Sequence, residues 1–318
     1  MSIKDPQTVP APDSPVPAAG PPRGGRRNVA AARRMAQAKE TWKEFSRNKA
    51  GVTGLVILLA VIALALLAPV LAPASTLDVT QLTSPQNDPP SAANPLGTDP
   101  SGRSVLALLI WGARVSLLVG FSATAVSMVI GTLMGMAAGH FTGATQAVLM
   151  RVIDFFLVVP GLVLAIVLSS IIGAGVATIV VAIGITSWAG TARVVRAQTL
   201  TVESRPYIER SWALGASDAH IIGKHVLPAV MPLVLANTTL TVGSAIIAES
   251  TLSFLGLGDP SSISWGSMLK TALDTGAATG GFWWYVLPPG LAIVVVVLSF
   301  TLVGRAVESV INPTLRGR

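Results

Sequence analysis

The stretch YIERSWALGASDAHIIGKHVLPAVMP, Tyr207 to Pro232, is a long polar and charged interruption between segments that are otherwise strongly apolar. Its first part, residues 208–214, has the pattern of a short amphipathic helix, which is too charged and too short to cross a bilayer. Gly215 follows at the point where a helix end favours a residue with positive φ. Ser217 and Asp218 then supply an N-cap and an acid for a second helix. The stretch therefore predicts two short helices joined at a glycine corner.

The second of these helices is expected to end near Leu227, where Pro228 and Pro232 should bend the chain into the next apolar segment. On the pattern alone, an ordinary interhelical loop is an equally good interpretation.

The rest of the composition is that of a polytopic membrane protein. Of 318 residues, 51% are hydrophobic and only 12% are charged. The formal net charge is +7, but the basic residues fall mainly at the ends of apolar segments, where they orient helices in a bilayer rather than bind nucleic acid. The absence of cysteine excludes disulfides and thiolate chemistry.

Uncharged segments predict an all-α chain with six transmembrane helices. The uncharged residues 155–192 are too many for one span, and Gly173 to Gly175 divides them into a third and a short fourth, with Pro160 bending the third. Residues 104–114 are expected to form a short interfacial elbow before the second span. The remaining predicted spans are residues 50–72, 115–139, 229–248 and 282–303.

The distribution of basic residues predicts the orientation. Lysine and arginine crowd before the first span, which places the N-terminus in the cytoplasm, and the count of six returns the C-terminus there. The predicted outside loops hold only Arg103 and Lys270, whereas residues 193–224 alone hold five basic residues. The stretch from Tyr207 to Pro232 is therefore expected to be cytoplasmic.

Catalytic motifs are missing from the sequence. No G-x-x-x-x-G-K-[ST] phosphate-binding loop occurs; the nearest match, at Gly223 and Lys224, has Asp218 and His225 at required positions. His220 and His225 lie five residues apart, which is not a same-face spacing in an α-helix, so both are expected to be solvated. We therefore predict no catalytic residue and no metal site.

Polar residues on the predicted fifth span are candidates for a translocation path. Asn237, Thr238 and Thr241 could form a water-lined face or an interhelical contact. Glu249 could line the path, join its span to another helix, or contact water at the membrane interface. Near the third span, Arg151 and Asp154 have the spacing of a structural ion pair.

A family resemblance rests on several of these motifs. Glu209, Gly215 six positions on, and the pair Leu227-Pro228 resemble the EAA loop of ATP-binding-cassette importer permeases. The segments NPLGTDPSGR (94–103), GARVSLLVG (112–120), ALGASDAHIIGKHVLPAVMP (213–232) and AESTLSFLGLG (248–258) resemble the dipeptide and oligopeptide branch. The chain is similar to the C-type member of the two membrane subunits.

The sequence departs from the family pattern at three loop positions. Arg210 and Ser211 stand where the pattern has two alanines, and His225 stands where it has isoleucine. The bulkier Arg210 therefore predicts an interface that is not a strict copy of the family's.

The resemblance implies a type I importer permease fold, in which the first short loop helix docks in a cleft of an ATP-hydrolysing subunit. Glu209 would be the charged anchor, Gly215 the corner, and Trp212 and Leu214 apolar contacts. The coupling-loop residues implied are Glu209, Trp212, Leu214, Gly215, Ala216, Leu227 and Pro228.

The resemblance also implies partners. The chain would pair with a homologous permease subunit, two cytoplasmic ATPase subunits that bind ATP and Mg, and an extracytoplasmic binding protein. The chain itself would be non-catalytic and without a cofactor.

Composition and the predicted spans give the domain plan. Residues 1–38 are rich in proline, alanine, glycine and arginine with no apolar period, so they are expected to be a disordered basic tail. Residues 39–103 would be an interfacial helix, the first span and an outside loop. Residues 104–308 would be the permease core with coupling loop 193–228, and residues 309–318 a cytoplasmic tail.

The cargo implied is a di- or oligopeptide, imported across the cell membrane. Nickel chelates, glutathione and haem stay open, because related permeases look alike and selection is made largely by the binding protein. A secondary transporter would need ionisable residues at the membrane midplane, and the charge-free span centres argue against it. A scaffold protein would have no need of the helix-glycine-helix loop.

Overall fold

The computed structural model describes residue 35, residues 39–81 and residues 84–311, and it separates two units, Met1–Lys43 and Glu44–Arg318. In the first unit, residues 39–43 are helical. The predicted tails, 1–38 except Met35 and most of 309–318, lie outside the described residues.

The described part of the second unit is mainly α-helical, with a long connection over residues 72–104 between the first two helices, which confirms the all-α prediction. In chain order the helices are α1 (Lys49–Leu71), α2 (Val105–His140), α3 (Ala144–Val158), α4 (Gly161–Ile172), α5 (Val176–Thr186), α6 (Ala189–Glu203), α7 (Pro206–Ala213), α8 (Asp218–Ile221), α9 (Leu227–Phe254), α10 (Trp265–Asp274) and α11 (Trp283–Ile311). A π-helical turn, Ile222–Val226, joins α8 to α9.

Four helices of the described residues are long and apolar enough to cross a membrane: α1, α2, the continuous helix Asp218–Phe254, and α11. Two further pairs meet this test together but are bent, α3 with α4 by 90° and α5 with α6 by 41°. The predicted six spans correspond to the count in which each bent pair is one span.

The predicted elbow at residues 104–114 is wrong. Helix α2 begins at Val105 and runs without interruption for 36 residues to His140. The single charge of Arg114 does not end the helix, because its guanidinium lies over the Trp111 ring, 5.7 Å from the ring centre. A lone arginine with an aromatic partner was therefore a poor signal for a boundary.

The bend predicted at Pro160 is present, but it is a complete break. Helix α3 ends at Val158, Val159 is extended (φ −72°, ψ 127°), and α4 starts at Gly161. A residue before proline is pushed out of the helical region, and proline offers no N–H to continue the hydrogen bonds. Gly173, with φ +103°, ends α4 as the division of this apolar segment predicted.

Glycines allow α2 and α6 to approach closely. A Cβ atom added at Gly131 would lie 2.7 Å from the Trp188 carbonyl oxygen. One turn on, a Cβ at Gly135 would lie 2.5 Å from the Ala192 oxygen. One turn further, a Cβ at Gly139 would lie 2.7 Å from the Thr199 Cβ. This row of glycines is the small-residue interface typical of membrane helices, and it brings the carboxyl ends of α2 and α6 together.

Candidate functional site

The loop after α6 has the predicted helix-glycine-helix form. Pro206 starts α7, where its missing N–H costs nothing. Gly215 ends it with φ +82°. The Gly215 N–H donates to the Trp212 oxygen and the Ala216 N–H to the Ser211 oxygen, which caps the helix carboxyl end. The positive φ predicted at Gly215 is confirmed.

The second loop helix differs from its prediction. Ser217 is its N-cap, with the hydroxyl accepting from the His220 N–H at 3.4 Å, but α8 lasts only four residues. The π-helical turn then leads directly into α9, which continues through Pro232 to Phe254. The expected bend near Leu227 is wrong, because Pro228 lies in the first turn of α9, where proline is tolerated.

The two sides of the loop differ in burial. Ile208 and Ile221 are fully buried, in a cluster completed by Met136, Val202 and Val226. On the other side Glu209 is exposed, Trp212 is 42% exposed and Leu214 is 88% exposed. Of the remaining predicted loop residues, Ala216 and Leu227 are half-buried and Pro228 is exposed. The loop thus presents an acid and two large apolar groups outward from a well-packed base.

A histidine that the sequence reasoning missed lies beneath this loop. His140 ends α2, and its side chain is 3% exposed. Its Nδ1 lies 2.6 Å from Glu203 Oε1, at the end of α6, and its Nε2 lies 3.4 Å from Asp218 Oδ1 on α8. The Trp212 ring stacks on the imidazole at 5.9 Å and 24°. The partners are 63 or more residues apart in the chain, so no local spacing could have indicated them.

His220 and His225 lie close together, although their spacing of five residues suggested that they would be on different faces of a helix. The π-helical turn places residues five apart on one face, and the two rings lie 5.6 Å from each other. Tyr207 lies 5.7 Å from His225. Within residues 39–81 and 84–311 no group of three or more His, Cys, Asp or Glu residues could hold a metal ion.

Glu249 is buried, with 1% of its surface exposed. Its Oε2 accepts from Ser116 of α2 at 2.9 Å and from Ser250 at 3.3 Å, and its Oε1 accepts from Ser253 at 2.8 Å. Ser116 also accepts from the Trp265 N–H, at 3.3 Å. The carboxylate joins α9 to α2, and through Ser116 to α10, and it also lines a cavity of about 120 Å³. The role of Glu249 stays a prediction.

Asn237, Thr238 and Thr241 form a polar stripe on α9, and of the three only Asn237 donates a hydrogen bond to another helix of the described residues. Asn237 Nδ2 donates to Thr191 Oγ1 of α6 at 2.9 Å, which is an interhelical contact. The hydroxyls of Thr238 and Thr241 donate to carbonyl oxygens of their own helix. All three residues are half-buried. The stripe therefore holds α9 against α6 at one position.

The predicted Arg151–Asp154 ion pair is wrong. Asp154 pairs instead with Arg193, whose Nη2 lies 2.7 Å from Asp154 Oδ1. This exposed bridge links α3 to α6 across 39 residues, a partner that helical spacing could not indicate.

At the other end of the helices, a polar cavity of about 240 Å³ lies between α10, α11 and the turn before α10. Charged residues line it from both sides: Arg103, Asp259, Lys270 and Asp274. The Ser261 hydroxyl and N–H both donate to Asp259 and lower the pKa of that carboxyl. Lys270 is already paired with Asp274 at 2.7 Å.

Comparison with known proteins gives two family matches. Residues 131–317, which include the whole loop and α9 to α11, match the binding-protein-dependent transport system inner membrane component family. The chain belongs to this family. Residues 36–90 also match the N-terminal transmembrane domain of oligopeptide transport permease C.

Three curated relatives cover most of the chain. The dipeptide transport system permease protein DppC of Bacillus subtilis is 37% identical over 89% of this chain and 87% of its own. The oligopeptide transport system permease protein OppC of the same organism is 34% identical over 87% of this chain and 90% of its own. The glutathione transport system permease protein GsiD of Pectobacterium atrosepticum is 34% identical, over 87% and 90%.

Membership settles the class of protein. The chain is a multi-pass membrane protein and the permease component of an ATP-binding-cassette importer. The resemblance to the C-type dipeptide and oligopeptide permeases is confirmed. Permeases of this family work with an ATPase and a substrate-binding protein, so such partners follow for this chain.

Proposed function

We propose that this chain is the C-type permease subunit of an importer of di- or oligopeptides. Its relatives of 34–37% identity include a dipeptide and an oligopeptide permease, each matched over nearly the whole length. The glutathione permease is a tripeptide-like alternative at similar identity. Nickel chelates and haem have no such support among these three relatives.

The exposed side of the loop supports a role in coupling. Ile208 and Ile221 fix the loop to the helices. Glu209 and Leu214 are exposed, and Trp212 stays 42% exposed while its ring stacks on His140. An ATPase subunit with a complementary cleft would cover these groups, as large partly exposed apolar side chains favour a protein partner. Gly215 sets the angle between the two loop helices.

The proposed assembly is one copy of this chain, one homologous permease subunit, two ATPase subunits and a binding protein. ATP and Mg would be bound by the ATPases, and this chain would supply neither a catalytic residue nor a cofactor. Both termini would lie in the cytoplasm, as the basic residues of the loop and the N-terminal region require. Roles in the translocation path for Asn237, Thr238, Thr241 and Glu249 stay predictions.

A peptide uptake assay tests both the coupling role of the loop and the peptide cargo. It uses cells that lack the native system and are complemented with the full subunit set. Glu209→Lys should abolish uptake of labelled dipeptide, because it reverses the proposed anchor charge. Glu308→Lys, the same reversal at an exposed acid of α11, should transport normally. Immunoblots of the membrane fraction should show equal amounts of all three proteins.

Competition identifies the cargo in the same assay. Unlabelled dipeptide, tripeptide, glutathione, nickel and haem are compared, and the peptides should compete best. Normal uptake by Glu209→Lys would contradict the coupling role. Failure of the wild type to import any of these solutes would contradict the peptide assignment.

A further inference from the structure

The His140 side chain joins three segments that the chain keeps far apart. It is the last residue of α2; Glu203 is the last residue of α6, and Asp218 is the first residue of α8. One imidazole nitrogen faces each carboxylate, at 2.6 and 3.4 Å, and Trp212 of α7 covers the ring. The single side chain therefore links the end of α2 to the end of α6, from which the loop projects, and to both loop helices.

The chemistry of this contact depends on charge. A neutral imidazole has one N–H, so it can donate to only one carboxylate, and its other nitrogen would direct a lone pair at the second. Both contacts are attractive only in the imidazolium form. Of the groups around the ring, Glu203 on α6 and Asp218 on α8 are acidic and Trp212 on α7 is uncharged. Arg196 of α6 lies at the same end, with its Nε donating to the Ala138 oxygen at 3.3 Å.

The apolar base of the loop does not replace this contact. Ile208 and Ile221 pack beside Met136 and hold the loop against the helices. Apolar contacts have no preferred direction, whereas the two carboxylate contacts of His140 end on the last turn of α2. Loss of either contact should leave the loop attached but weaken its link to the end of α2.

We propose that His140, through its contacts with Glu203 and Asp218, is a positioning residue that fixes the cytoplasmic loop to α2 and α6, so that a displacement of the loop moves these helices. The role of His140 rests on the coupling function proposed for the loop. It goes beyond that function by assigning the contact through which the movement passes into the membrane.

Amide hydrogen exchange in the purified complete complex tests the attachment without any assumption about cargo. His140→Gln should speed exchange of residues 206–221 about tenfold, because two charge-assisted contacts are lost. His220→Gln, the same substitution at an exposed histidine of this loop, should leave exchange unchanged. Asp218→Asn, at a side chain that is 58% exposed, removes the charge from one contact with little risk to folding and should give a smaller increase.

Proteoliposomes test the consequence, with ATP hydrolysis and dipeptide uptake measured in the same sample. His140→Gln should hydrolyse ATP yet import about tenfold less per ATP, as expected when such a contact is lost. His140→Arg, which stays charged and has several N–H donors for the two carboxylates, should restore the ratio of dipeptide imported to ATP hydrolysed. His220→Gln should follow the wild type.

The outcomes separate the two proposals. Wild-type exchange and a wild-type ratio of dipeptide imported to ATP hydrolysed in His140→Gln would overturn the role of His140, whatever the cargo. Faster exchange in His140→Gln with no dipeptide uptake by the wild type would support the attachment and contradict only the peptide assignment. If His140→Gln does not assemble, Asp218→Asn decides: an unchanged exchange rate and transport ratio would contradict the proposal.

Discussion

Single residues set local geometry in two different ways. Gly215 acts through its backbone: φ is +82°, and no atom would obstruct a Cβ there, so only conformation demands glycine. Glu249, near the end of α9 remote from the loop, acts through its side chain, which accepts hydrogen bonds from three serine hydroxyls. The positive φ at Gly215 could be predicted from the sequence, because a glycine directly after an amphipathic helix commonly ends that helix in the left-handed conformation.

Gly215→Ala should weaken the loop and lower uptake. An L-residue in the left-handed region costs roughly 1–2 kcal/mol, so the corner between α7 and α8 should open. Gly223→Ala is the control, because Gly223 also has open space around it but lies in the helical turn with ordinary φ. Uptake assays at equal membrane levels compare the two, and equal uptake would contradict the requirement for positive φ.

Glu249→Leu should destabilise the protein. It deprives the Ser116 and Ser253 hydroxyls of their acceptor, at a cost of about 1–3 kcal/mol for each buried group left unpaired. Ser244→Leu, on the exposed face of the same helix, is the control. Thermal unfolding in detergent should show a lower midpoint for Glu249→Leu alone; equal midpoints would mean that the carboxylate is not a structural joint.

At the scale of elements, the lengths of the uncharged segments predicted which residues form membrane-spanning helices but not how those helices bend. The span at 50–72 was correct within one residue, since Lys49 and Pro73 bound it clearly. The 90° break at Val159 was expected only as a kink, because sequence shows that proline removes a hydrogen bond but not which way the chain then turns. The contacts of His140 and the Asp154–Arg193 pair depend on tertiary packing, which no spacing rule reports.

The glycine row on α2 predicts a sharp packing defect. Gly135→Ala would place a methyl group 2.5 Å from the Ala192 carbonyl oxygen, which is backbone and cannot rotate away. The free energy of unfolding should fall by about 1–3 kcal/mol, typical of overpacking. Gly190→Ala, on α6 with open space, should have no such effect. Denaturation in mixed micelles measures the free energy of unfolding of both variants. Equal values for Gly135→Ala and Gly190→Ala would show that α2 and α6 can move apart without loss of stability.

At the scale of the whole molecule, the orientation in the membrane is testable because the chain has no cysteine. A single cysteine at Leu214, in the exposed loop, should react with a membrane-impermeant maleimide only after the cells are opened. A single cysteine at Ala278, exposed between α10 and α11, should react in intact cells. The reverse pattern would place the loop outside and contradict an ATPase partner for it.

Helix α2 is long enough to extend beyond both sides of the membrane. Its 36 residues measure about 54 Å, well beyond the roughly 30 Å of hydrocarbon, and it contains no proline or break. One end carries His140 under the loop, and near the other the Leu109 oxygen accepts from the Trp265 indole of α10. Contacts at both faces of the membrane therefore act on the same helix. If binding of a partner outside the membrane shifts α2 and so changes the affinity of the loop for its cytoplasmic partner, thermodynamic reciprocity applies. Binding of the cytoplasmic partner must then change the affinity for the outside partner by the same factor.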